Sequence, residues 1–307
     1  MAVRALEWPL AGRRVSPRRL RRNIEGWLFI APVVIGMLAF YFVPIVVSLL
    51  TSLTDWDGLS SYRFIALENY QRLITGDQFF RRTLGNTVYY VVGHIPLTIL
   101  MALGLAMLCN RKMVGVTWYR TAYFTPVVTN VVAIGLVWSF FYAPGTGILN
   151  WFLSVFGIQG PAWLQSVPWA MPAVILVSAW HGVGYPMVIL LAGLQGIPEV
   201  LYEAAKIDGA NTWQRFRNVT VPLLTPALFF LAITQFISSF QVFGLIFVLT
   251  HGGPANATNV YIYYLYQNAF QFSKMGYASA MAWILFVIIA TITVVQWKLQ
   301  KRWVFYG

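Results

Sequence analysis

Six long stretches without a charged side chain constrain this chain more than any other feature. They span residues 27–50, 86–108, 121–142, 170–193, 221–249 and 277–297. Each is long enough to cross a hydrocarbon core about 30 Å thick as a helix. Backbone groups in lipid must satisfy one another, so uncharged runs of this length predict membrane-spanning helices. We therefore expect an all-α integral membrane protein with six transmembrane helices.

The composition supports this fold class. Of the 307 residues, 59% are hydrophobic and only 10% are charged, whereas a soluble domain carries roughly a quarter charged residues. The 21 basic and 9 acidic side chains all lie in the connections between the six runs. The single cysteine, Cys109, excludes an intramolecular disulfide and a cysteine-based metal site.

Lysine and arginine are unevenly distributed between the two sides of the predicted bundle. Residues 1–26, 109–120, 194–220 and 298–307 together hold 16 of the 21 basic residues. Because basic residues concentrate in cytoplasmic connections, both termini are expected to be cytoplasmic. The net charge of +12 then reflects this asymmetry and contact with anionic membrane lipid, and it does not indicate nucleic-acid binding.

The pattern divides the chain into three parts. We expect a basic cytoplasmic N-terminal segment at 1–26, a six-helix transmembrane domain at 27–297 and a cytoplasmic tail at 298–307. A cleaved export signal is the alternative for the N-terminus, but the first apolar run is too long and lacks a small-residue cleavage site. Prolines within the first four runs predict kinks, which suit a cavity-lined bundle better than a rigid anchor.

A polar connection at about 198–220 is unusually elaborate for a link between two membrane helices. Pro198 suits the first position of a helix. Asp208 and Gly209 are expected to end that helix, because glycine adopts left-handed geometry without steric cost. The connection suits docking on a soluble partner, and a hairpin that merely joins two spans is the alternative.

A second short helix is expected within the same connection. Asn211 or Thr212 can cap it, and it should run from about Trp213 to Asn218 before Pro222 marks the return to the membrane. Its apolar and basic side chains are of the kind that fill a cleft on a partner.

This connection resembles the cytoplasmic signature loop of permease subunits of ATP-binding-cassette (ABC) importers. In that family Glu-Ala-Ala is followed after three residues by Gly, and after nine more by Ile-x-Leu-Pro. Here Glu203-Ala204-Ala205, Gly209 and Val219-Thr220-Val221-Pro222 match in register, with Val replacing Ile and Leu. The resemblance implies that this coupling helix sits in a groove of a cytoplasmic ATPase. It assigns coupling to Glu203, Ala204, Ala205 and Gly209, with Asp208 and Arg215 as polar contacts.

Further segments resemble the carbohydrate-importing branch of that family, the maltose and glycerol-phosphate type permeases. They are Leu67-Glu68-Asn69-Tyr70, Asn86-Thr87, Gly184-Tyr185-Pro186, Leu249-Thr250-His251-Gly252-Gly253-Pro254, Thr258, Asn268-Ala269-Phe270, Gly276-Tyr277-Ala278 and Arg302-Trp303. The resemblance implies half of a translocation pathway for a neutral sugar or oligosaccharide, in a bacterial or archaeal cytoplasmic membrane. A glycerol-3-phosphate or polyol permease of the same family is the alternative.

The resemblance also implies partners: an ABC ATPase dimer, a second homologous permease subunit, and an extracytoplasmic solute-binding protein that docks on the 51–85, 143–168 and 250–276 loops. A heterodimer of permeases is expected in preference to a homodimer. ATP and magnesium would be bound by the ATPase. The chain itself is expected to be neither an enzyme nor a cofactor carrier, since a P-loop needs Gly-Lys-Ser/Thr and no lysine here follows a glycine.

The pathway should carry an uncharged solute, because the runs hold no acid, lysine or arginine. On the fifth run Gln235, Ser238 and Ser239 offer neutral hydrogen-bonding groups near one helical face. Trp180 and Tyr185 offer aromatic surfaces, and the resemblance places the pocket around this cluster and the segment that includes Gly184. Hydrogen bonding between helices is the alternative role for the cluster.

Two other classes of protein fit less well. A self-contained secondary transporter should show acidic or basic side chains at mid-membrane or inverted repeats, and the six runs contain no acid, lysine, arginine or inverted repeat. A membrane enzyme should bring together carboxylates, histidines or a nucleophile, yet the three histidines are scattered and the acids lie in the connections.

Overall fold

The computed structural model describes residues 17–60, 62–111 and 114–305, so residues 1–16 of the predicted N-terminal segment lie outside the described residues. The described residues form two compact units, which divide between Thr51 and Ser52. The first unit contains α1 (Pro17–Met37), a π-helical turn (Leu38–Phe42) and α2 (Val43–Thr51). The wide turn comes directly before Pro44, which lacks the N–H that a regular helix would need there.

The second unit is helical, and its described residues contain no β-strand beyond one antiparallel bridge between Thr54 and Phe64. Its helices are α3 (Glu68–Gln71), α4 (Gln78–Cys109), α5 (Val116–Val128), α6 (Val131–Phe141), α7 (Ile148–Val155), α8 (Val167–Gly182), α9 (Gly184–Gln195), α10 (Glu199–Ile207), α11 (Thr212–Arg215), α12 (Val221–Phe240), α13 (Gly244–Leu249), α14 (Tyr261–Tyr266) and α15 (Met275–Trp303). Further π-helical turns occupy Arg72–Gly76, Phe216–Thr220 and Gln267–Gln271.

The predicted all-α membrane fold is confirmed. Four helical stretches are long and apolar enough to cross a membrane, namely Glu25–Thr51, Gln78–Cys109, Thr212–Phe240 and Met275–Trp303. Two bent pairs, α5 with α6 and α8 with α9, raise the number to six if each pair is one span.

Prolines and caps account for the two bends. The pair α5 and α6 bends by 101°, at a break that follows Pro126, and Asn130 caps α6 by accepting a hydrogen bond from the Val132 N–H at 2.8 Å. The pair α8 and α9 bends by 50° around Val183. There Pro186 has no N–H to offer the carbonyl of Gly182. The prolines in the sequence predicted kinks in these two runs, and the structure gives the bend angles.

Two predicted boundaries are wrong. The fifth span does not run unbroken over 221–249, because α12 ends at Phe240 and α13 starts only at Gly244. The predicted separate second helix of the 198–220 loop is the beginning of a continuous helical stretch, Thr212–Phe240. A π-helical turn, closed by the Val221 N–H on the Phe216 carbonyl, precedes Pro222 and carries the helix through it.

Helix α4 is central to the second unit. It packs against α8, α9, α12 and α14. A Cβ at Gly93 would lie 2.8 Å from Cδ1 of Ile175 on α8, so the missing side chain lets these two helices approach closely. The buried residues around α4 form two apolar clusters, one with α8, α13 and α14 and the other with α9 and α12.

Candidate functional site

A cavity of about 260 Å³, with polar groups set in mainly apolar surface, lies between α4, α8 and α12 and is also lined from α6 and α13. It is lined by Tyr90, His94, Val131, Ser178, His181, Gly182, Gln235, Ser238, Ser239, Val242, Gly244 and Leu245. None of these described residues is an acid, a lysine or an arginine. The wall therefore offers neutral hydrogen-bonding groups beside apolar surface.

Helix α12 supplies the polar cluster predicted from the sequence. Gln235, Ser238 and Ser239 all line the cavity, which confirms that they lie together. The hydroxyls of the two serines differ in environment. The Ser238 hydroxyl is exposed and donates to the Thr234 carbonyl at 2.9 Å, whereas Ser239 is buried and hydrogen-bonded to Nδ1 of His94 at 3.0 Å.

Helices α4 and α8 supply further cavity residues, of which Tyr90 and Ser178 were not predicted from the sequence. The ring of Tyr90 stacks on that of His94, with centroids 5.1 Å apart and planes 10° from parallel. Ser178 is buried, and its hydroxyl makes no hydrogen bond of standard geometry within the described part of the chain. His181 lies with Nε2 3.3 Å from the Thr129 carbonyl. A histidine within an otherwise apolar run was the available signal for this wall.

The other three predicted pathway residues do not line the cavity. Trp180 packs edge-to-face on Trp138 with ring centroids 5.4 Å apart. Gly184 lies against the backbone of α5, where a Cβ would come within 2.8 Å of the Tyr123 carbonyl oxygen. Tyr185 is 49% exposed. Their chain neighbours His181 and Gly182 contribute to the cavity wall instead.

The first helix of the 198–220 loop ends as predicted. It begins at Glu199, one residue after Pro198, and it finishes at Ile207. Gly209 then adopts φ +77°, in the left-handed region that favours glycine. The Ala210 N–H donates to the Ala205 carbonyl at 2.9 Å, which closes the helix end.

The second part of the loop begins with a capping box. The Asn211 side chain accepts from the Gln214 N–H at 2.9 Å, and the Gln214 side chain accepts from the Asn211 N–H at 2.7 Å. The Tyr202 hydroxyl lies 3.0 Å from Oγ1 of Thr220 and joins the two parts. The loop is therefore ordered by contacts within itself.

Much of this loop is exposed. Of the predicted coupling residues, Glu203, Ala204, Asp208 and Gly209 are exposed, while Ala205 and Arg215 are half-buried. Apolar side chains are exposed beside them: Ile207 by 86%, Val200 by 69% and Trp213 by 65%. An ordered loop with both charged and apolar exposed side chains has the character of a docking surface.

Some of the segments predicted to mark the sugar-importing branch meet in space near the start of α4. The Asn86 side-chain amide donates to the carbonyls of Asn256 and Asn259, each at 2.9 Å. Thr87 accepts from the Tyr261 N–H at 2.9 Å, and Arg82 donates to the Ala255 carbonyl at 2.7 Å. Motifs about 170 residues apart thus form one hydrogen-bonded structure.

Asp77 extends this structure. One carboxylate oxygen caps α4 by accepting from the Phe80 N–H at 2.9 Å. The other accepts from the hydroxyls of Tyr264 at 2.8 Å and Tyr277 at 2.6 Å. Burial, and then the hydrogen bond to Asp77, raise the pKa of Tyr264 to about 12, so this phenol stays a donor at neutral pH. We call Asp77, Arg82, Asn86, Thr87 and their partners in 255–277 the α4 anchor.

Comparison with known proteins places these features in a family. The model of the inner membrane component of binding-protein-dependent transport systems matches residues 94–304. A probable ABC transporter permease of Bacillus subtilis, YesP, is 38% identical over 294 residues, which cover 94% of each chain. A probable permease for starch degradation products from Thermoanaerobacterium thermosulfurigenes, AmyD, is 34% identical over 283 residues, 92% of this chain and 96% of that one.

A solved structure agrees on the fold. A chain of a bacterial ABC transporter involved in the import of the acidic polysaccharide alginate superposes with a TM-score of 0.79 at 22% identity, covering 93% of this chain and 98% of that one. This chain belongs to the family of inner membrane components of binding-protein-dependent transport systems. It is a permease subunit of an ABC transporter and not itself an enzyme.

Proposed function

We propose that this permease conducts an uncharged sugar or oligosaccharide and that the solute passes the cavity between α4, α8 and α12. The cavity carries this proposal, because its described lining offers neutral hydrogen-bonding groups beside apolar surface and contains no acid, lysine or arginine. Hydroxyl-bearing solutes need neutral donors and acceptors, which Gln235, Ser238 and Ser239 offer. Trp180, Gly184 and Tyr185 would shape the adjoining pathway through α8 and α9. The relative AmyD, a probable permease for starch degradation products, points to the same class of solute.

A glycerol-3-phosphate permease is supported less well. A phosphate group taken out of water needs a cation to offset the loss of its hydration. The lining contains no lysine or arginine, so such a solute would need its counter-charge from another subunit. The cavity therefore favours a neutral sugar over a charged polyol derivative.

The 198–220 loop is proposed to dock on the ATPase that drives the transport. Glu203, Ala204, Ala205, Asp208 and Gly209 would form the contact, with Arg215 at its edge. The exposed apolar side chains of Ile207 and Trp213 support this role, because they would be covered by a partner. ATP and magnesium would be bound by that ATPase dimer.

The remaining partners and the orientation follow the same proposal. A second permease subunit, a homologue in preference to a copy of this chain, would complete the pathway. The termini and the 198–220 loop would face the cytoplasm, and the 51–85, 143–168 and 250–276 loops would face an extracytoplasmic solute-binding protein. Residues 27–297 would form the transmembrane domain, between the basic segment 1–26 and the tail 298–307.

The test is purification of the tagged chain from its own membranes in mild detergent, followed by mass spectrometry and reconstitution. We expect a P-loop ATPase, a second permease and ATP-dependent uptake of malto-oligosaccharides through the co-purified binding protein. Gln235→Ala should lower this uptake, while Ser154→Ala on α7, outside the cavity, should not. A chain that purifies alone and moves these sugars without ATP would contradict the proposal.

A further inference from the structure

We propose that His94 is the positioning residue of the solute cavity. Its hydrogen bond to Ser239 would hold the last turn of α12 so that Gln235 and Ser238 face the solute. The effect of His94 on transport rests on the proposed function. The effect of the His94–Ser239 hydrogen bond on the position of α12 can be tested without any sugar.

The contact joins two helices deep in the protein. Nδ1 of His94 lies 3.0 Å from Oγ of Ser239, and the two residues are 7% and 2% exposed. A buried hydrogen bond between neutral groups stabilises the arrangement that forms it, and a buried polar partner left unsatisfied costs more than the bond itself contributes. The pair is therefore strong enough to favour one arrangement of α4 against α12.

The imidazole ring is itself held in place. Tyr90, one turn earlier on α4, stacks on it with a centroid separation of 5.1 Å. Next to His94, Gly93 allows α8 to come close, since a Cβ there would lie 2.8 Å from Cδ1 of Ile175. The stacking on Tyr90 therefore limits the orientations of the ring while Nδ1 lies within hydrogen-bond distance of Ser239.

The need for such a bond follows from where Ser239 lies. Helix α12 ends at Phe240, and residues 241–243 break the helical path before α13. The Gln241 and Val242 N–H groups close this end on the carbonyls of Ser238 and Ser239, but these bonds hold it only to the neighbouring chain. The bond from His94 ties the final turn to α4. Gln235 is one turn before Ser239 and shares its face. A bond at Ser239 thus orders the turn that carries the cavity's polar groups.

This assignment refines the role of the serine pair. The Ser239 hydroxyl is used within the protein, as the partner of His94. The exposed Ser238 hydroxyl and the Gln235 amide remain as the groups of α12 that meet the solute. Ser239 therefore acts through their position instead of through direct contact.

Two substitutions at His94 distinguish the contribution of ring stacking from that of the hydrogen bond. His94→Asn keeps a polar atom near the place of Nδ1 and loses the ring. His94→Phe keeps a ring to stack on Tyr90 and loses the hydrogen bond. We therefore expect Asn to preserve the positioning of α12 and Phe to lose it.

The direct readout is maleimide labelling of a reporter cysteine. Phe240→Cys in a Cys109→Ala background gives a single cysteine at a position of this turn that is 3% exposed, so that it reacts only when the turn opens. Within the assembled complex, His94→Phe should raise its rate of reaction with N-ethylmaleimide about fivefold, the equivalent of one lost hydrogen bond. His94→Asn should leave the rate near that of the parent. Equal rates in the Phe variant and the parent would overturn the proposal.

A double variant provides the second test. Ser239→Ala should raise the labelling rate as much as His94→Phe does, and the two together should add nothing, because they remove the same bond. Additive effects would overturn the proposal. Uptake of malto-oligosaccharides should also fall in His94→Phe and be rescued in His94→Asn. If labelling responds as described but neither His94→Phe nor Gln235→Ala alters uptake, the positioning stands and the proposed solute route fails.

Discussion

The 198–220 loop and the α4 anchor are ordered in opposite ways. The loop is held by contacts between residues close in the chain, such as the Asn211 and Gln214 capping box, and it exposes its charged and apolar side chains. The anchor is held by hydrogen bonds between segments 170 or more residues apart, such as Asn86 to Asn256. Its polar side chains are directed at one another.

The difference indicates that the 198–220 loop is an interaction surface and that the α4 anchor is a structural element that stabilises the fold. Polar groups that are already paired inside the protein have little left for a partner, and their loss weakens the fold. Exposed groups on a locally ordered loop can change with little effect on the rest of the molecule. We therefore expect substitutions in the loop to impair transport at normal stability, and substitutions in the anchor to impair stability first.

The largest effect is expected for Gly209→Pro. Gly209 has φ +77°, which the proline ring cannot adopt, so the end of α10 must rearrange. Transport by the assembled complex should fall about tenfold or more, and the melting temperature should stay close to that of the parent. Gly115→Pro is the matched control, because Gly115 has φ +78° and lies outside the loop. Equal loss of transport in the two variants would argue against a special role for the loop.

The next effect is expected for Asp77→Ala in the anchor. The substitution removes the cap of α4 and the common acceptor of Tyr264 and Tyr277. We expect a loss of about 3 kcal/mol of unfolding free energy, measured by denaturation in detergent. Glu68→Ala is the control, since it removes only an exposed ion pair with Arg72 worth less than about 0.5 kcal/mol. A loss of unfolding free energy as small as that of the control would refute the stabilising role of the α4 anchor.

A smaller effect is expected for Asn86→Ala. Its side-chain amide satisfies two carbonyls of the 250–259 segment. Removing it should cost about 1–2 kcal/mol of stability, seen as a lower melting temperature. Faster hydrogen exchange should follow at the start of α14. A variant that melts like the parent would show that these contacts are not a source of stability.

The smallest effect is expected for Asn211→Ala, the equivalent change in the loop. Loss of this cap costs a helix about 1 kcal/mol, and only the first turn of α11 depends on it. Hydrogen exchange should speed up at residues 211–215 while the melting temperature stays unchanged. A global loss of stability equal to that of Asn86→Ala would erase the distinction between the two regions.

The sequence was most informative where structure depends on neighbouring residues. The uncharged runs predicted the membrane helices, and Gly209 and Asn211 predicted the end of α10 and the start of the next helix. The prolines predicted breaks in the third and fourth runs. The bend angles could not be predicted from the sequence, because they depend on packing between helices, as at Gly184 against the backbone of α5.

The site was predicted in part for the same reason. The polar cluster on α12 stands out within one apolar run, so Gln235, Ser238 and Ser239 could be predicted to lie together, as they do in the cavity wall. Ser178 and Tyr90 were missed because only the fold brings α4 and α8 to that cluster. The continuous helix through Pro222 was missed as well, since a π-helical turn before a proline leaves no clear sequence signal.

The docking role of the 198–220 loop is the central claim, and cross-linking tests it most directly. In a Cys109→Ala background, Ile207→Cys places a single cysteine at an apolar position that is 86% exposed, and Phe270→Cys places one at a 65% exposed position after α14. Each is labelled with a photoactivated maleimide in native membranes. We expect the P-loop ATPase to be captured from position 207 and not from position 270. Capture from position 270 alone, or equally from both, would contradict the claim.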